Sequence, residues 1–506
     1  VIPPTGGTKD TKVPIVKKMI PAIGATNFKG GVILIEFNEE ITVDPNPNNI
    51  LISPNIEGKI LFKDKKKKYL ELTVPNTLKE NTTYSISLNN VVKDITEGNT
   101  IKDITYAFST GPLLDSLTLT GKIINIETKQ PIKEAMIGLY EISDTLNIRK
   151  QKPLYLNYSD EKGIFKLSYL KQGDYYLLVL EDKNKNLSFD NQEKTDFIEQ
   201  ISINKEVNKT LLLELSISDT TGNKILSRKP EQQKQILTYR NGIKQYHFKT
   251  LNPEDKIYVV QEKKKAKELT VYPQLINDDT VTYILETIDS IGNYSIDTLK
   301  LNKLKRILKK EPSSINPTTK DIIPGLKKLS FTTNKPIKKI NTDSIFINDS
   351  QEFRIEYKEN YDSLFIYPAV GLLQQDSTKV KFKKGSLVFY DDDSLQQNSF
   401  IYRKADPSNY SVLEMKIQTK EQNYIIQLLT ENYIVLDEYK NITILNFNYI
   451  KPGTYRIRAI IDKNANGYWD RSNPLKGIKA EPIYYYNSDK INLKPNWELK
   501  DLVFIF

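Results

Sequence analysis

Residues 444–470, "ILNFNYIKPGTYRIRAIIDKNANGYWD", lie over residues 164–190, "IFKLSYLKQGDYYLLVLEDKNKNLSFD", without a gap. In both stretches the step from glycine (Gly173, Gly453) to aspartate (Asp182, Asp462) is 9 residues. A second, more degraded copy accompanies the first: "LKKLSFTTNKPI" and "SIFIND" match "GVILIEFNEEI" and "NILISP". Two copies in the same order indicate duplication of a two-domain block, with a central domain between them. At 506 residues the chain is also too long for one core, and about four or five units are expected.

Within each unit the apolar residues alternate. "NTTYSISLNNVVKD" puts Tyr84, Ile86 and Leu88 on one face, and Phe165 and Leu167 do the same in the repeated stretch. Thirty Tyr and 18 Phe favour strands. Asp160 and Gly163 mark a tight turn. The expectation is an all-β chain, a tandem array of about five β-sandwich domains, Ig-like and transthyretin-like. The boundaries are a flexible leader over 1–12, sandwiches over 13–112, 113–210 and 211–305, a linker over 306–323, and sandwiches over 324–407 and 408–506. The closing "WELKDLVFIF" is read as the last strand of the fifth sandwich rather than as a membrane-barrel strand.

Cysteine is absent, which excludes disulfides, thiolate zinc sites and cysteine nucleophiles. The lone histidine, His247, has no nucleophile elbow nearby and reads as a structural residue on a half-exposed strand. Three consecutive acids, Asp391 to Asp393, read as a solvated turn rather than a catalytic pair. The net charge of +10 comes mainly from dispersed lysine, densest at Lys65–Lys68, Lys263–Lys267 and Lys303–Lys310. Lys65–Lys68 reads as a solvated hairpin tip. Nucleic-acid binding would want Arg with interleaved aromatics on one face, so no nucleic-acid partner is expected. Basic surfaces also attract anionic lipid headgroups and lipopolysaccharide. No apolar run reaches the roughly 20 residues of a membrane span. The chain opens on Val1 without a signal peptide and reads as a processed product.

Residues 13–111 resemble the bacterial Ig-like domains that open many Bacteroidota outer-membrane lipoproteins. "IEFNEEI", "LKENTTYSISL", "VVKDITEGN" and the closing "FSTG" carry that likeness. The leader "PPTGGTKDTKVP" is similar to the segment after the lipidated cysteine of such proteins. Residues 117–190 resemble the carboxypeptidase-regulatory-like (transthyretin-like) sandwich through "GKIIN", "PIKEAMIGLY" and "SDEKGIFKLSYLKQGDYYL". The resemblance implies a non-enzymatic, lipid-anchored, extracytoplasmic protein of the outer membrane, its anchor cysteine before Val1. Its partners would be other outer-membrane proteins, with no small-molecule substrate. It would serve as a structural scaffold, an accessory subunit of an outer-membrane β-barrel assembly. The alternative is a surface adhesin or carbohydrate-binding protein, using exposed tyrosines such as those of "IYYYN" (483–487).

The repeated loops are the candidate metal sites. Asp182, Asn184, Asn186, Asp190 and Glu193 fall at positions 1, 3, 5, 9 and 12 of a calcium loop, and Ser188 stands at 7, where a backbone carbonyl serves. Asp462, Asn464, Asn466, Tyr468 and Asp470 fill the same places in the second copy. Each copy departs once: Leu187 stands at position 6 in place of glycine, and Asn473 at position 12 in place of a bidentate acid. Weak calcium binding, around 10⁻⁴–10⁻³ M, is expected. The competing reading is a pair of Asx-turn loops that need no metal.

Overall fold

The computed structural model describes residues 10–44, 46, 49–56, 58–205, 210–218, 222–231, 234–261, 266–274, 280–289, 292–302, 312–357, 362–373, 375–488 and 490–506. The leader up to residue 9, linker residues 306–311 and the lysines 263–265 and 303–310 lie outside that set. The chain is all-β. Among the described residues the helical turns are 3₁₀ segments of three residues, such as Thr342–Ser344 and Pro407–Asn409. Contacts divide the chain into two compact units, residues 1–219 with 471–480 and residues 220–470 with 481–506.

The first unit opens with a sandwich. Its larger sheet runs Val16–Ile20, Gly31–Phe37, Tyr69–Val74, Leu61–Lys65, and faces a sheet of Ile50–Ser53, Thr83–Asn89 and Asp103–Ser109. Ile33, Ile35, Leu70 and Leu72 meet Tyr84, Ile86, Leu88 and Phe108 between the sheets. These are alternate residues of each strand, because successive side chains point to opposite faces.

The second sandwich folds over a seven-stranded order: Tyr155–Tyr158, Met136–Glu141, Gly173–Leu180, Lys194–Ile203, Leu211–Ile217, Leu117–Asn125, Ile164–Leu170. Leu119, Ile123, Leu167, Leu177 and Val179 fill its main core. The strand Gly173–Leu180 is covered on its other face too. Leu178 and Leu180 join Met136, Tyr140, Phe197 and Phe189 in a second cluster. Phe189 comes from the Asp/Asn loop, so that loop is part of the packing.

In the second unit the central sandwich packs Leu237, Val259, Val271, Tyr283 and Leu299. The next sandwich repeats the first in strand order: Ile315–Pro317, Leu329–Thr333, Ser363–Pro368, Phe353–Tyr357. Its opposite sheet, built on Ile345–Ile347, Ser377–Phe382 and Asn398–Lys404, also follows the first. The last sandwich repeats the second. Ser411–Gln418 lies between antiparallel Ile444–Ile450 and parallel Glu498–Ile505, as Leu117–Asn125 lies between Ile164–Leu170 and Leu211–Ile217.

The described part of 306–323 is no linker. Ile315–Pro317 pairs with Leu329–Thr333 and Asp321–Ile322 with Asn398–Lys404, and Ile315 and Ile322 lie in the core. Strands of two or three residues leave almost no period-two signal, and proline is tolerated at a sheet edge.

The two transthyretin-like copies fill one position differently. Gly121 faces Phe165, whereas Met415 faces Leu445, the residue that aligns with Phe165. A Cβ on Gly121 would lie 2.4 Å from the Phe165 ring and 2.7 Å from the Leu211 carbonyl oxygen. Gly121→Ala is therefore expected to cost about 1–3 kcal/mol in chemical denaturation. Adding Phe165→Leu should recover part of that cost, so the double variant loses less than the sum of the single changes. Strict additivity would show that the two positions do not share space.

Candidate functional site

The strands Gly173–Leu180 and Gly453–Ile461 deliver Asp182 and Asp462 as buried carboxylates. Asp182 accepts from the N–H of Asn186 at 3.2 Å on one oxygen and of Leu187 at 2.8 Å on the other. Asp462 accepts from Asn466 at 3.0 Å and Gly467 at 2.8 Å in the same way. The Asn184 and Asn464 side-chain oxygens take the N–H of Asn186 and Asn466 at 3.0 and 3.1 Å. Asn186 and Asn466 in turn accept from Ser188 and Tyr468 N–H at 2.8 and 2.7 Å. One oxygen of Asp190 accepts both amide groups of Asn184 and Asn186, and Asp470 accepts those of Asn464 and Asn466. These bonds recur one for one in the two loops.

Leu187 adopts φ 61° where Gly467 adopts φ 77°. The left-handed conformation costs a non-glycine residue roughly 1–2 kcal/mol. Here the Asp182 bond to its N–H and apolar packing of Leu187 beside Phe189 offset that cost. Gly467 leaves room for a neighbouring side chain. A Cβ there would lie 2.2 Å from Lys440 Nζ, and that ammonium, with Lys244, faces the Tyr468 ring at 5.7 and 4.3 Å.

The twelfth position in the second loop is the residue that counting misses. Glu193 accepts Asp190 N–H at 3.0 Å, and Glu481 accepts Asp470 N–H at 3.0 Å and Lys463 N–H at 2.7 Å. Asn473, the residue at the right count, instead exchanges backbone bonds with Ile478 inside the segment 471–480, which packs with residues 1–219. The available signal was Glu481 just before the strand Ile483–Tyr485, as Glu193 stands just before Lys194–Ile203. Burial foremost pushes the Glu193 carboxyl up to about 7, and the charges of Asp182, Asp190 and Glu181 add to the shift against the Asp190 N–H bond. Glu481 is raised for the same first reason, with Asp470 and Asp462 adding and two N–H bonds opposing.

The donor set is all oxygen, the chemistry of a hard cation. Both Asp182 oxygens, however, are spent on backbone N–H groups, as in an Asx turn. Among the described residues no group of three or more His, Cys, Asp or Glu is placed to hold a metal ion.

Other singled-out residues have local duties. Trp469 donates to the Glu481 carbonyl at 3.0 Å and caps the second loop. His247 is exposed on Ile243–Thr250. Only Asp392 fits the expectation of a solvated turn. The covered Asp391 carboxylate meets buried Lys335 at 2.9 Å, and Asp393 reaches the same amine at 3.5 Å while accepting from Ser313. In "IYYYN", Ile483 is buried, the exposed Tyr484 stacks on Phe506 and Tyr485 accepts from Arg458.

Residues 10–110 match the family described as bacterial Ig-like domain. The N-terminal sandwich is a bacterial Ig-like domain. No curated protein matches the chain. Among solved structures it is similar to surface layer protein SbsC, domains 1–6, at 13% identity over 91% of this chain and 67% of that one, with a TM-score of 0.15. The human desmocollin-1 ectodomain matches at 11% identity over 79% and 81%, with a TM-score of 0.14. A Bacteroides ovatus mixed-linkage glucan utilization locus protein, SGBP-B, matches at 10% identity over 67% and 86%, with a TM-score of 0.16.

The raised Glu193 carboxyl sets a pH dependence. Between its ordinary 4.5 and about 7 the folded protein holds a proton that the unfolded chain has released. Stability should therefore fall as pH rises through that window, by up to ~3 kcal/mol. Glu193→Gln should flatten that slope and raise the unfolding midpoint at pH 8, above the window. An unchanged slope in thermal melts would show that Glu193 is not the group responsible.

Proposed function

We propose that this chain is a non-enzymatic outer-membrane lipoprotein, lipid-anchored and extracytoplasmic, that acts as a protein-interaction scaffold. The observation that carries the scaffold reading is the duplication. The same two-sandwich framework is built twice, strand order for strand order, and its most polar loops turn their carboxylates onto their own backbone. The copies also differ on their surfaces, and surface is what a scaffold uses. The anchor and the outer-membrane location are supported by the resemblance of the leader and the first two sandwiches. An accessory role in a β-barrel assembly follows from the same analogy. Affinity capture of the full-length protein from cross-linked native membranes should recover a β-barrel partner, and palmitate labelling should mark the protein. Recovery of no stable protein partner would sink the scaffold reading.

In this reading each loop also takes one calcium ion weakly. The first site uses Asp182, Asn184, Asn186, Asp190, Glu193 and the Ser188 carbonyl. The second uses Asp462, Asn464, Asn466, Asp470, the Tyr468 carbonyl, and Glu481 in place of Asn473. What supports it is that an insertion separates Asp470 from Glu481, yet the acid occupies the same place as Glu193. Calorimetry on the full chain should give dissociation constants around 10⁻⁴–10⁻³ M. Glu481→Gln should remove one site and Asn473→Ala neither. No calcium heat in the parent protein leaves two Asx-turn loops.

A further inference from the structure

The outer face of the first sandwich's larger sheet is unlike its duplicate. The register sets Ile20 beside Leu34, and Val32 and Leu61 on either side of Thr73, all pointing away from the core. Ile20 is 46% exposed, Val32 48% and Leu61 66%. In the fourth sandwich the same sheet, in the same strand order, turns Asn316, Ser330 and Thr332 outward. Its outward Phe365 and Tyr367 lie under Lys328 and Arg354, each at 4.4 Å. The fold therefore does not need aliphatic side chains on this face, and the first copy carries them for another purpose.

Lysine gathers at one end of the same face. Lys63 and Lys65 lie over Glu71 at 3.2 and 2.6 Å, two ammonium groups against one carboxylate. The hairpin then turns through Lys66 and Lys67, at φ 53° and 55°, with Lys68 N–H donating to the Lys65 carbonyl. A turn with two positive φ angles favours Asn-Gly. Two lysines there hold charge at the tip against the local conformational preference.

We infer that this face docks on a bilayer surface carrying anionic phospholipid, its aliphatic residues entering the headgroup region and the lysine tip meeting the charge. The composition separates this from a protein interface. Protein hot spots are rich in Trp, Tyr and Arg, and interfaces are depleted in lysine. Aliphatic side chains bordered by lysine suit a charged membrane surface. The inference deepens the membrane location proposed above but does not need the lipid anchor.

The test uses the full chain made without lipid, so its failure leaves the anchor reading standing. The protein is sedimented with phosphatidylcholine vesicles, with and without phosphatidylglycerol. It should bind the phosphatidylglycerol vesicles and be released as salt screens the charges. Lys66→Asn with Lys67→Gly installs the pair the turn prefers, so the fold is kept. That variant should weaken partitioning roughly 25-fold, each lysine near an anionic surface contributing a factor of about five. Leu61→Asp should also lower binding, and Thr332→Asp on the duplicate face should leave it unchanged. No binding to phosphatidylglycerol vesicles, equal binding by the turn variant and Leu61→Asp, or engagement of this face by lipopolysaccharide or a protein alone would overturn the inference.

Discussion

A strand buries one face only if a second sheet lies over it, and this chain meets that requirement five times with no covalent aid. There is no cysteine, so each sandwich must hold itself together by apolar burial between its layers. The cores are separate clusters. Ile33, Tyr84 and Phe108 fill the first, Leu177 and Val179 the second, Tyr283 and Val271 the third, Phe331 and Phe382 the fourth, and Ile426 and Ile457 the fifth.

The Asp/Asn loops follow from that constraint. Gly173–Leu180 is buried on both faces, and the second cover includes Phe189, a loop residue. To place Phe189 the loop must be fixed, and Asp182 fixes it by accepting two backbone N–H groups. In the last sandwich Trp469 stands where Phe189 stands and is tied to the Glu481 carbonyl. The loop's first duty is architectural. Burying Glu193 beside Asp182 and Asp190 is a by-product with a cost, visible in the Glu193 carboxyl, raised first by burial and further by those charges. A cation in such a loop would relieve that cost.

Duplication makes the molecule its own control. Positions that the fold demands stay the same in kind, such as the parallel strand beside Leu117–Asn125 and beside Ser411–Gln418. In the core, change is compensated: Gly121 and Met415 exchange volume with Phe165 and Leu445. Positions outside the core have diverged without such coupling. The outward face of the first sandwich carries aliphatics and lysine where the fourth carries short polar residues and capped aromatics.

Local periodicity settled the all-β class, the separate modules and their duplication from sequence, because the two-residue period and a gapless repeat are properties of neighbouring positions. The same locality made Asp182 to Asp190 and Asp462 to Asp470 legible as matched loops. Glu481 was not legible, because an inserted segment breaks the count and only the closed fold returns the acid to Asp470 N–H. The strands within 315–322 were hidden for a related reason, since two or three residues carry no period and their partners are distant in sequence. Lys335 reaching Asp391, and the contrast between two sheets of identical order, likewise exist only once distant strands have paired. Strand character is written along the chain. Which polar group meets which, and which apolar face is left uncovered, was decided by chain closure in three dimensions.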